Sequence, residues 1–383
     1  MSLSRSWIAP GSTIGIIGGG QLGRMMALAA KEAGFNVIVL DPTKNSSCGQ
    51  VADNEIVAAF DDRDALAQLA ARCDVVTYEF ENIDYDALCW LESVAHVPQG
   101  AELIQITQDR ILEKQALMRA GVSVASFAKI RKEHDLYEQI ERIGYPAVLK
   151  TTRGGYDGKG QIILREEKDL QSAMKVLRSG DCVLEEWISF EKEISVVLTR
   201  NSDGELTMFP VAENIHRQNI LHESIVPARI SHATTSEAYK LARKIAEHLG
   251  LIGTLAVEMF VNEDGSIYVN ELAPRPHNSG HYTIEACETS QFAQHIRAIC
   301  NWPLKSTALV KPAIMVNILG EHVSALMKEI PLRSDWSIHL YGKDEAKEKR
   351  KMGHVTILTN ELEHTLDEIN KSRVFTSFQE SEA

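Results

Sequence analysis

The first hundred residues alternate between short apolar runs and amphipathic stretches, and this alternation restricts the possible folds more than any other feature. Strand-like runs lie at 13–17, 36–41 and 74–78, and helical patterns at 21–33 and 63–73 separate them. Strands that alternate with helices form a parallel sheet with helices on both faces. The first part of the chain is therefore predicted to be an α/β domain built on a parallel sheet.

The pattern changes near Asp109, where the regular alternation ends. Strand-like runs then follow one another closely, and the last two, at 254–261 and 266–272, come after a long helical stretch at 236–249. Consecutive strands of this kind are typical of an α+β region with antiparallel pairs. A chain of 383 residues usually divides into two or three domains. We predict three domains, at residues 1–109, 110–300 and 301–383.

Composition and charge exclude several classes of protein. The formal net charge is −13, whereas proteins that bind nucleic acid usually carry a basic face, so no nucleic-acid partner is expected. No apolar run is long enough to cross a bilayer, and the first ten residues lack the apolar core of a signal peptide. The six cysteines form no C-x-x-C pair, which favours reduced thiols in a cytoplasmic protein.

A glycine-rich turn, Gly18-Gly19-Gly20-Gln21-Leu22-Gly23, joins the first strand to the first helix. Such a turn lets backbone N–H groups at a helix N-terminus approach an anion. Asp41 ends the next strand, as in dinucleotide-binding folds, but the strands of a second mononucleotide-binding half do not follow. The turn is interpreted as a phosphate site. An NAD-dependent dehydrogenase is the alternative from a different class, and a purely structural turn is the simplest interpretation.

Lys150 ends an apolar strand and directly precedes a glycine-rich loop, 153–160, that also contains Lys159. Amides in such a loop can fold over phosphate oxygens, and the two lysines could neutralise a triphosphate. The spacing is not that of a Walker A loop. A flexible hairpin with solvated lysines is the alternative, but a lysine at the end of an apolar strand favours the phosphate-binding interpretation.

Glu258 and Glu271 are predicted to face each other across a β-hairpin. If Asp264-Gly265 forms a two-residue loop, Glu263 pairs with Ser266 and Glu258 lies opposite Glu271. Opposed residues have Cβ atoms about 5 Å apart, and two buried carboxylates at that distance are costly unless a cation lies between them. Magnesium commonly takes one or two carboxylates together with nucleotide phosphates. In a different register one of the glutamates would face solvent.

Together these segments resemble the ATP-grasp superfamily and, within it, the carboxyaminoimidazole ribonucleotide synthetases of purine biosynthesis. The resemblance extends from about Ile14 to Thr356, and its most specific segments are 18–25, 79–82, 155–161 and 270–281. It implies a Rossmann-like N-terminal domain, a central ATP-grasp domain with a lid at about 121–188, and a small C-terminal domain.

The resemblance also implies an activity. ATP and bicarbonate would form carboxyphosphate, which would carboxylate the amine of 5-aminoimidazole ribonucleotide and leave ADP and phosphate. The implied cofactors are ATP and Mg²⁺, with room for two ions, and the implied assembly is a homodimer without a membrane partner. The alternatives are another ATP-grasp ligase, such as a formate-using transformylase, and a catalytically inactive nucleotide-binding module. Tyr156-Asp157 argues against the first, and intact Lys150 and Lys159 argue against the second.

Matching positions assign roles to individual residues. The expected ATP site comprises Arg110, Lys150, Gly155, Tyr156, Asp157, Gly158, Lys159, Gly160, Gln161, Glu185, Glu186, Trp187, Ile188, Glu193, His216, Asn270 and Glu271. The expected magnesium ligands are Glu258 and Glu271. The ribonucleotide is expected at Gly20, Gln21, Leu22, Glu79, Glu81, Lys343, Arg350 and Lys351. The catalytic candidates are Asp157, Lys159, Arg275 and His277. Ala273 stands where many ATP-grasp enzymes have an asparagine, which leaves a third metal ligand open.

Overall fold

The computed structural model describes residues 7–155 and 159–375. The first part contains, in chain order, β1 (Thr13–Ile17), α1 (Gln21–Glu32), β2 (Asn36–Asp41), β3 (Asn54–Val57), α2 (Arg63–Arg72), β4 (Val75–Tyr78), α3 (Tyr85–Val94) and α4 (Ala101–Thr107). The strands lie in the order β3-β2-β1-β4, and every pair is parallel. Residues 14–17 of β1 are fully buried, as expected for a strand covered on both faces. The predicted parallel α/β fold is confirmed.

A second, antiparallel sheet follows helix α5. Its region contains α5 (Arg110–Arg119), β5 (Phe127–Ile130), α6 (Glu133–Ile143), β6 (Ala147–Thr151), β7 (Gln161–Leu164), α7 (Leu170–Leu177) and β8 (Cys182–Glu186). The strand order is β5-β8-β6-β7. Leu136, Ile140 and Ala173 on α6 and α7 pack with Leu149 and Leu184 of the sheet. Since β6 and β7 form a hairpin, the described ends of the glycine-rich loop, residues 153–155 and 159–160, lie next to its tip.

A third sheet contains all of the remaining strands in the described part of the chain. The elements are β9 (Lys192–Arg200), β10 (Leu206–Met208), β11 (Ala212–Arg217), β12 (Ile220–Val226), α8 (His232–His248), β13 (Gly253–Val261), β14 (Ile267–Ala273), α9 (Thr283–Ala286), α10 (Gln291–Ile299), β15 (Ala313–Leu319), α11 (Val323–Glu329), β16 (Trp336–Leu340), β17 (Lys351–Leu358) and α12 (Leu362–Lys371). The strand order is β14-β13-β9-β11-β12-β15-β17-β16, and β10 pairs with β9. Because β12 pairs with β15, this sheet continues through the C-terminal strands.

The turn of the β13–β14 hairpin differs from the prediction. The predicted pairing of Glu263 with Ser266 is wrong, because the N–H group of Asn262 donates to the carbonyl of Ser266 at 3.0 Å. Gly265 has φ +81°, and a glycine in this left-handed region is typical of a three-residue hairpin loop. The loop is therefore one residue longer than predicted, which alone would place Glu258 opposite Asn270.

A β-bulge at Asn270 restores the predicted carboxylate pair. Met259 lies opposite Val269, whereas the next residue along β13, Glu258, lies opposite Glu271. The extra residue on β14 shifts the register by one, as a bulge does. The predicted opposition of the two glutamates is therefore confirmed, although the two steps that produce it were not predicted.

Within the described part of the chain, no helix is both long enough and apolar enough to cross a bilayer.

Candidate functional site

A cavity of about 680 Å³ is lined by residues of the second and third sheets, by the start of α1 and by the segment that follows β4. Most of the predicted site residues face it. These are Gln21, Leu22, Glu79, Glu81, Arg110, Lys150, Gly155, Lys159, Gln161, Glu185, Glu186, Trp187, Ile188, Glu193, His216, Glu258, Asn270, Glu271, Arg275, His277 and Lys351. The lining does not include Gly20, Gly160, Lys343 or Arg350. The predicted residues Tyr156, Asp157 and Gly158 lie outside the described residues.

At one end of the cavity two lysines share one carboxylate. Lys150 Nζ lies 3.0 Å and Lys114 Nζ 3.4 Å from Glu185 Oε2. Burial alone would raise the pKa of Glu185, but the two lysines outweigh burial and lower it. Among the described residues the other oxygen, Oε1, is buried without a hydrogen-bond partner. The cavity therefore contains a fixed anion with one oxygen available to a donor on a ligand.

Helix α5 contributes three charged residues to this region, of which the sequence analysis named only Arg110. Lys114 and Glu113 are 2% and 3% exposed and line the cavity. Arg110 lies three and four residues before them, so all three side chains are on one face of the helix. That spacing places Glu113 and Lys114 on the same face as Arg110, but it does not show that this face is buried.

Glu113 is hydrogen-bonded to the strand that carries Glu271. Its Oε1 accepts a hydrogen bond of 2.8 Å from the N–H group of Leu272 on β14, an edge strand of the third sheet. Burial, and after it the charge of Glu271, raises the pKa of Glu113 to about 8. Glu113 thus holds the backbone directly after Glu271, which is a predicted metal ligand.

The opposed glutamates have different surroundings. Burial, and after it Glu271, raises the pKa of Glu258 to about 8. Burial alone would raise the pKa of Glu271 as well, but Arg110, at 3.3 Å from Oε2, together with Lys150 and Arg275 outweighs burial and lowers the pKa. A neutral acid beside an ionised one is the arrangement expected of a carboxylate pair without a cation between them. A divalent cation would allow both to ionise, so the pair fits magnesium.

The donor set also fits the number of ligands that magnesium takes from a protein. Among the described residues no three His, Cys, Asp or Glu side chains are grouped so as to hold a metal ion. Magnesium commonly takes one or two carboxylates and completes its shell with substrate phosphates and water. Glu258 and Glu271 supply the two carboxylates.

The glycine turn is held by acidic side chains of the protein itself. Glu79 accepts hydrogen bonds from the N–H groups of Gly20 and Gly23, the latter at 2.6 Å. Asp41 accepts from the N–H group of Gly19 at 2.7 Å. The Asp41 carboxylate is therefore bound to the turn itself, so its position at the end of β2 no longer favours a dinucleotide-binding site. The next N–H groups, those of Gln21 and Leu22, lie in the first turn of α1, where a helix has no carbonyl partners for them.

Three cations of the C-terminal region lie near this turn. Lys343 Nζ donates to the carbonyl of Lys351 at 2.7 Å. Burial, and after it the charge of Arg350, lowers the pKa of Lys343 to about 8, and Glu79 opposes this shift. The charges of Lys343, Arg350 and Glu79 are thus close enough to affect one another, although only Lys351 of the three cations lines the cavity.

Gln50 joins the two parts of the chain that form this end of the cavity. Its Nε2 donates to the carbonyl of Gly342 at 2.7 Å, and its Oε1 accepts from Arg24 Nη1 at 3.2 Å. Arg24 lies on α1, directly after the glycine turn. The side chain therefore fixes the segment before Lys343 relative to the turn.

Arg275 and His277 each contact a glutamate that also lines the cavity. Arg275 Nη2 forms an ion pair of 2.7 Å with Glu81 Oε1, and His277 Nε2 lies 3.2 Å from Glu258 Oε1. Burial, and after it Arg275, lowers the pKa of His277 well below its ordinary value, which keeps the imidazole neutral. This region has positive charge on Arg275 and a neutral nitrogen donor or acceptor on His277.

His216 and Glu193 form a second histidine–carboxylate pair on the cavity wall. His216 Nδ1 lies 2.7 Å from Glu193 Oε2. Burial would lower the pKa of His216, but the hydrogen bond and charge of Glu193 outweigh it and raise the value. The pair presents polar atoms close to the predicted nucleotide.

Three family models match successive parts of the chain. The ribonucleotide synthetase preATP-grasp domain matches residues 12–108, and the ATP-grasp domain matches residues 115–292. The phosphoribosylaminoimidazole carboxylase C-terminal domain matches residues 313–368.

Relatives match over almost their whole length. The N5-carboxyaminoimidazole ribonucleotide synthase of Bacillus subtilis (strain 168) is 52% identical over 96% of this chain and 97% of its own. A crystal structure of the ADP complex of an N5-carboxyaminoimidazole ribonucleotide synthetase has a TM-score of 0.96 at 57% identity and covers 98% of this chain and 99% of its own. The Aspergillus clavatus enzyme in complex with ADP and 5-aminoimidazole ribonucleotide has a TM-score of 0.89 at 34% identity, over 94% and 98% of the two chains. The chain belongs to the N5-carboxyaminoimidazole ribonucleotide synthase family of ATP-grasp ligases.

Proposed function

We propose that the protein carboxylates 5-aminoimidazole ribonucleotide in purine biosynthesis. ATP and bicarbonate give carboxyphosphate and ADP, and the carboxyl group then passes to the amine with release of phosphate. The observation that carries this proposal is a single cavity that joins the Lys150–Glu185 pair, the Glu258–Glu271 pair and the cationic segment at Lys351. The relative with bound ADP and 5-aminoimidazole ribonucleotide supports it.

The nucleotide lies at the Lys150–Glu185 end. Glu185 Oε1, buried and without a partner among the described residues, accepts from the adenine amino group, and the backbone of Glu186, Trp187 and Ile188 lies along the base. Glu193 and His216 bind the ribose. Lys150 and Arg110 neutralise the phosphates. The other proposed contacts are Gly155, Tyr156, Asp157, Gly158, Lys159, Gly160, Gln161 and Asn270.

Glu258 and Glu271 would hold Mg²⁺, with two ions possible on the same carboxylates. When bound, magnesium offsets the negative charge of the transferring phosphoryl group. Residues of the chain supply the other contributions to catalysis. Arg110 keeps Glu271 ionised, and Lys150 and Lys159 stabilise charge on the phosphates. The loop at 153–160 closes over the site, since carboxyphosphate must be kept from water.

The ribonucleotide lies at the other end. Its phosphate contacts the N–H groups of Gln21 and Leu22 and the cations Lys343, Arg350 and Lys351, which offset the net negative charge of the protein. Gly20 shapes the turn, because its own N–H group is held by Glu79. Glu79 and Glu81 face the ribose. Arg275, His277 and Asp157 surround the reacting amine and carboxyl group.

The larger-scale predictions are proposed with the function. The domains comprise residues 1–109, 110–300 with a lid at about 121–188, and 301–383. The assembly is a homodimer, and the compartment is the cytoplasm. Small molecules are the only ligands proposed.

The test is ADP release in the presence of Mg²⁺, ATP and bicarbonate, with and without 5-aminoimidazole ribonucleotide. We expect strong stimulation by the ribonucleotide that needs bicarbonate and is not supported by formate. Support by formate would favour a formate-using relative, and ATP binding without stimulation would require a different acceptor. Binding of NAD with no binding of ATP would favour a dehydrogenase.

Glu271→Ala tests the magnesium assignment in the same assay. Loss of one carboxylate of the pair should abolish turnover, and circular dichroism should show an unchanged fold. Near-normal turnover in this variant would contradict the assignment of Glu271 as a metal ligand.

A further inference from the structure

A chain of buried hydrogen bonds crosses the third sheet and ends at His277. Ser224 Oγ donates to Asn214 Oδ1 at 2.9 Å, and Asn214 Nδ2 donates to Ser195 Oγ at 3.0 Å. Ser195 Oγ then donates to Ser279 Oγ at 2.7 Å. All four side chains are at most 5% exposed. A buried polar group is costly unless it is hydrogen-bonded. The last hydroxyl of this chain, that of Ser279, therefore needs a hydrogen-bond partner.

The direction of the chain determines what Ser279 offers to His277. A hydroxyl has one hydrogen to donate. Ser195 accepts from Asn214 and gives its hydrogen to Ser279. Ser279 therefore has its own hydrogen left for His277 Nδ1, which lies 2.9 Å from the hydroxyl oxygen.

A second donor converges on the same nitrogen. The backbone N–H group of Ser279 donates to His277 Nδ1 at 3.3 Å, so the imidazole caps the short 3₁₀ turn Asn278–Gly280. A nitrogen that accepts two hydrogen bonds carries no hydrogen. In a neutral imidazole the hydrogen then resides on the other nitrogen, Nε2.

The backbone of His277 is also held on both sides. Gln291, on α10 and fully buried, accepts from the N–H group of His277 at 2.8 Å and donates to its carbonyl at 2.7 Å. The position of the ring is therefore set by Gln291 and its orientation by Ser279. The free face of the ring directs Nε2 toward Glu258 Oε1, at 3.2 Å.

We propose that the chain Ser224–Asn214–Ser195–Ser279 fixes His277 as the Nε2–H tautomer, so that His277 serves as a hydrogen-bond donor to oxygen anions in the cavity and not as a base at Nε2. Ser279, Ser195 and Asn214 are positioning residues, since they act through His277. The part of this inference that concerns turnover rests on the proposed function. The part that concerns the tautomer does not.

The tautomer is tested by nitrogen NMR of the substrate-free protein labelled with ¹⁵N-histidine. The signals of His277 are those lost in His277→Gln. We expect Nε2 to carry the hydrogen and Nδ1 to show the shift of an unprotonated acceptor. A hydrogen on Nδ1, or exchange between the two tautomers, would overturn the proposal whatever the enzyme's substrate.

Ser195→Ala tests the remote part of the chain. Loss of this hydroxyl leaves Ser279 without its donor, so the Nε2–H fraction of His277 should fall. Thr199→Val is the matched control, because Thr199 lies on the same strand, is fully buried, and pairs with Thr254 at 3.0 Å outside the chain. An equal effect of both variants on the His277 signals would overturn the role of the chain.

Turnover is tested with two amide replacements of His277. The amide nitrogen of glutamine reaches close to the position of Nε2, whereas that of asparagine reaches only the position of Nδ1. If donation from Nε2 is what the reaction uses, kcat of His277→Gln should exceed that of His277→Asn by about tenfold, with KM for ATP unchanged. Equal kcat values, or the reverse order, would overturn the donor role. Failure of the proposed function would appear separately, as absent turnover in the wild type.

Discussion

Glu113 is a carboxylic acid that the fold buries beside two cations and a predicted metal ligand. Its carboxyl group accepts a hydrogen bond from the N–H group of Leu272. Burial, and after it the charge of Glu271, outweighs the charges of Arg110 and Lys114, so the pKa of Glu113 rises to about 8. An acid with a raised pKa destabilises the folded state once the pH permits ionisation. Ionisation of Glu113 therefore destabilises the protein at the hydrogen bond that joins α5 to the strand that carries Glu271.

Glu113→Gln should remove a pH dependence of stability. Between the unfolded pKa of 4.5 and the folded pKa of about 8, the folded chain keeps a proton that the unfolded chain has lost. Wild-type stability therefore falls as the pH rises through this window, by up to about 1.4 kcal/mol per unit. Glutamine keeps the acceptor for Leu272 and stays neutral.

Calorimetry of the magnesium-free protein should thus give the smallest difference in Tm between wild type and Glu113→Gln near pH 5 and the largest near pH 8, with the variant more stable. Glu133→Gln on α6, where Glu133 is exposed, is the control. A difference that stays constant between pH 5 and pH 8 would show that Glu113 has no raised pKa.

At this scale the sequence identified residues whose motif is local and missed residues whose role depends on burial. Lys150 could be predicted because it ends an apolar strand before a glycine-rich loop. Glu113 and Lys114 could not be predicted in the same way, because charged residues on a helix are usually solvated. Only the packing of α5 against β14 and β8 shows that this face is buried.

At the scale of elements, the bulge in β14 is what turns a regular hairpin into part of the site. With the three-residue loop alone Glu258 would lie opposite Asn270, and the extra residue in β14 brings Glu271 into that place. The hairpin pattern predicted the two strands and the carboxylate pair. The hairpin pattern did not predict the longer loop or the bulge. Asn270, the extra residue that offsets the longer loop, has no distinguishing signal in a strand of otherwise ordinary composition.

Gly265→Ala should lower stability without affecting turnover. Gly265 has φ +81°, where a side chain is strained, but an added Cβ would meet only Thr234 Oγ1 at an ordinary distance of 3.5 Å. The expected loss is about 1 kcal/mol, seen as a lower Tm, with kcat unchanged because the loop is outside the cavity. Gly265→Asn is the control and should recover most of the loss, as asparagine tolerates this conformation. Loss of kcat in Gly265→Ala would show that the loop sets the carboxylate register.

At the scale of the whole molecule, the proposed ribonucleotide end of the cavity is assembled from segments more than three hundred residues apart. The glycine turn comes from the first sheet, and Lys351 begins β17 at the far side of the third. Gln50 bridges them through Arg24 and Gly342. Such a contact between distant segments has no periodicity or spacing in the sequence, and therefore could not be predicted.

Gln50→Ala should weaken binding of the ribonucleotide and leave ATP binding intact. One hydrogen bond of about 1 kcal/mol corresponds to a roughly fivefold rise in KM for 5-aminoimidazole ribonucleotide. KM for ATP should not change, because the nucleotide end is formed by other residues. Asn36→Ala is the control, since Asn36 Nδ2 donates only within the first region, to Gly11 at 3.0 Å. An equal rise in both KM values would mean that Gln50 supports the fold in general.

The pairing of β12 with β15 has a consequence for how this protein can be divided or recombined. Family models separate an ATP-grasp segment from a C-terminal segment, but the backbone hydrogen bonds of the third sheet run across that division. A chain truncated before β15 would expose the edge of β12, and exposed strand edges promote aggregation. The two segments therefore share one sheet, so separating or exchanging one of them without the other would break backbone hydrogen bonds of that sheet.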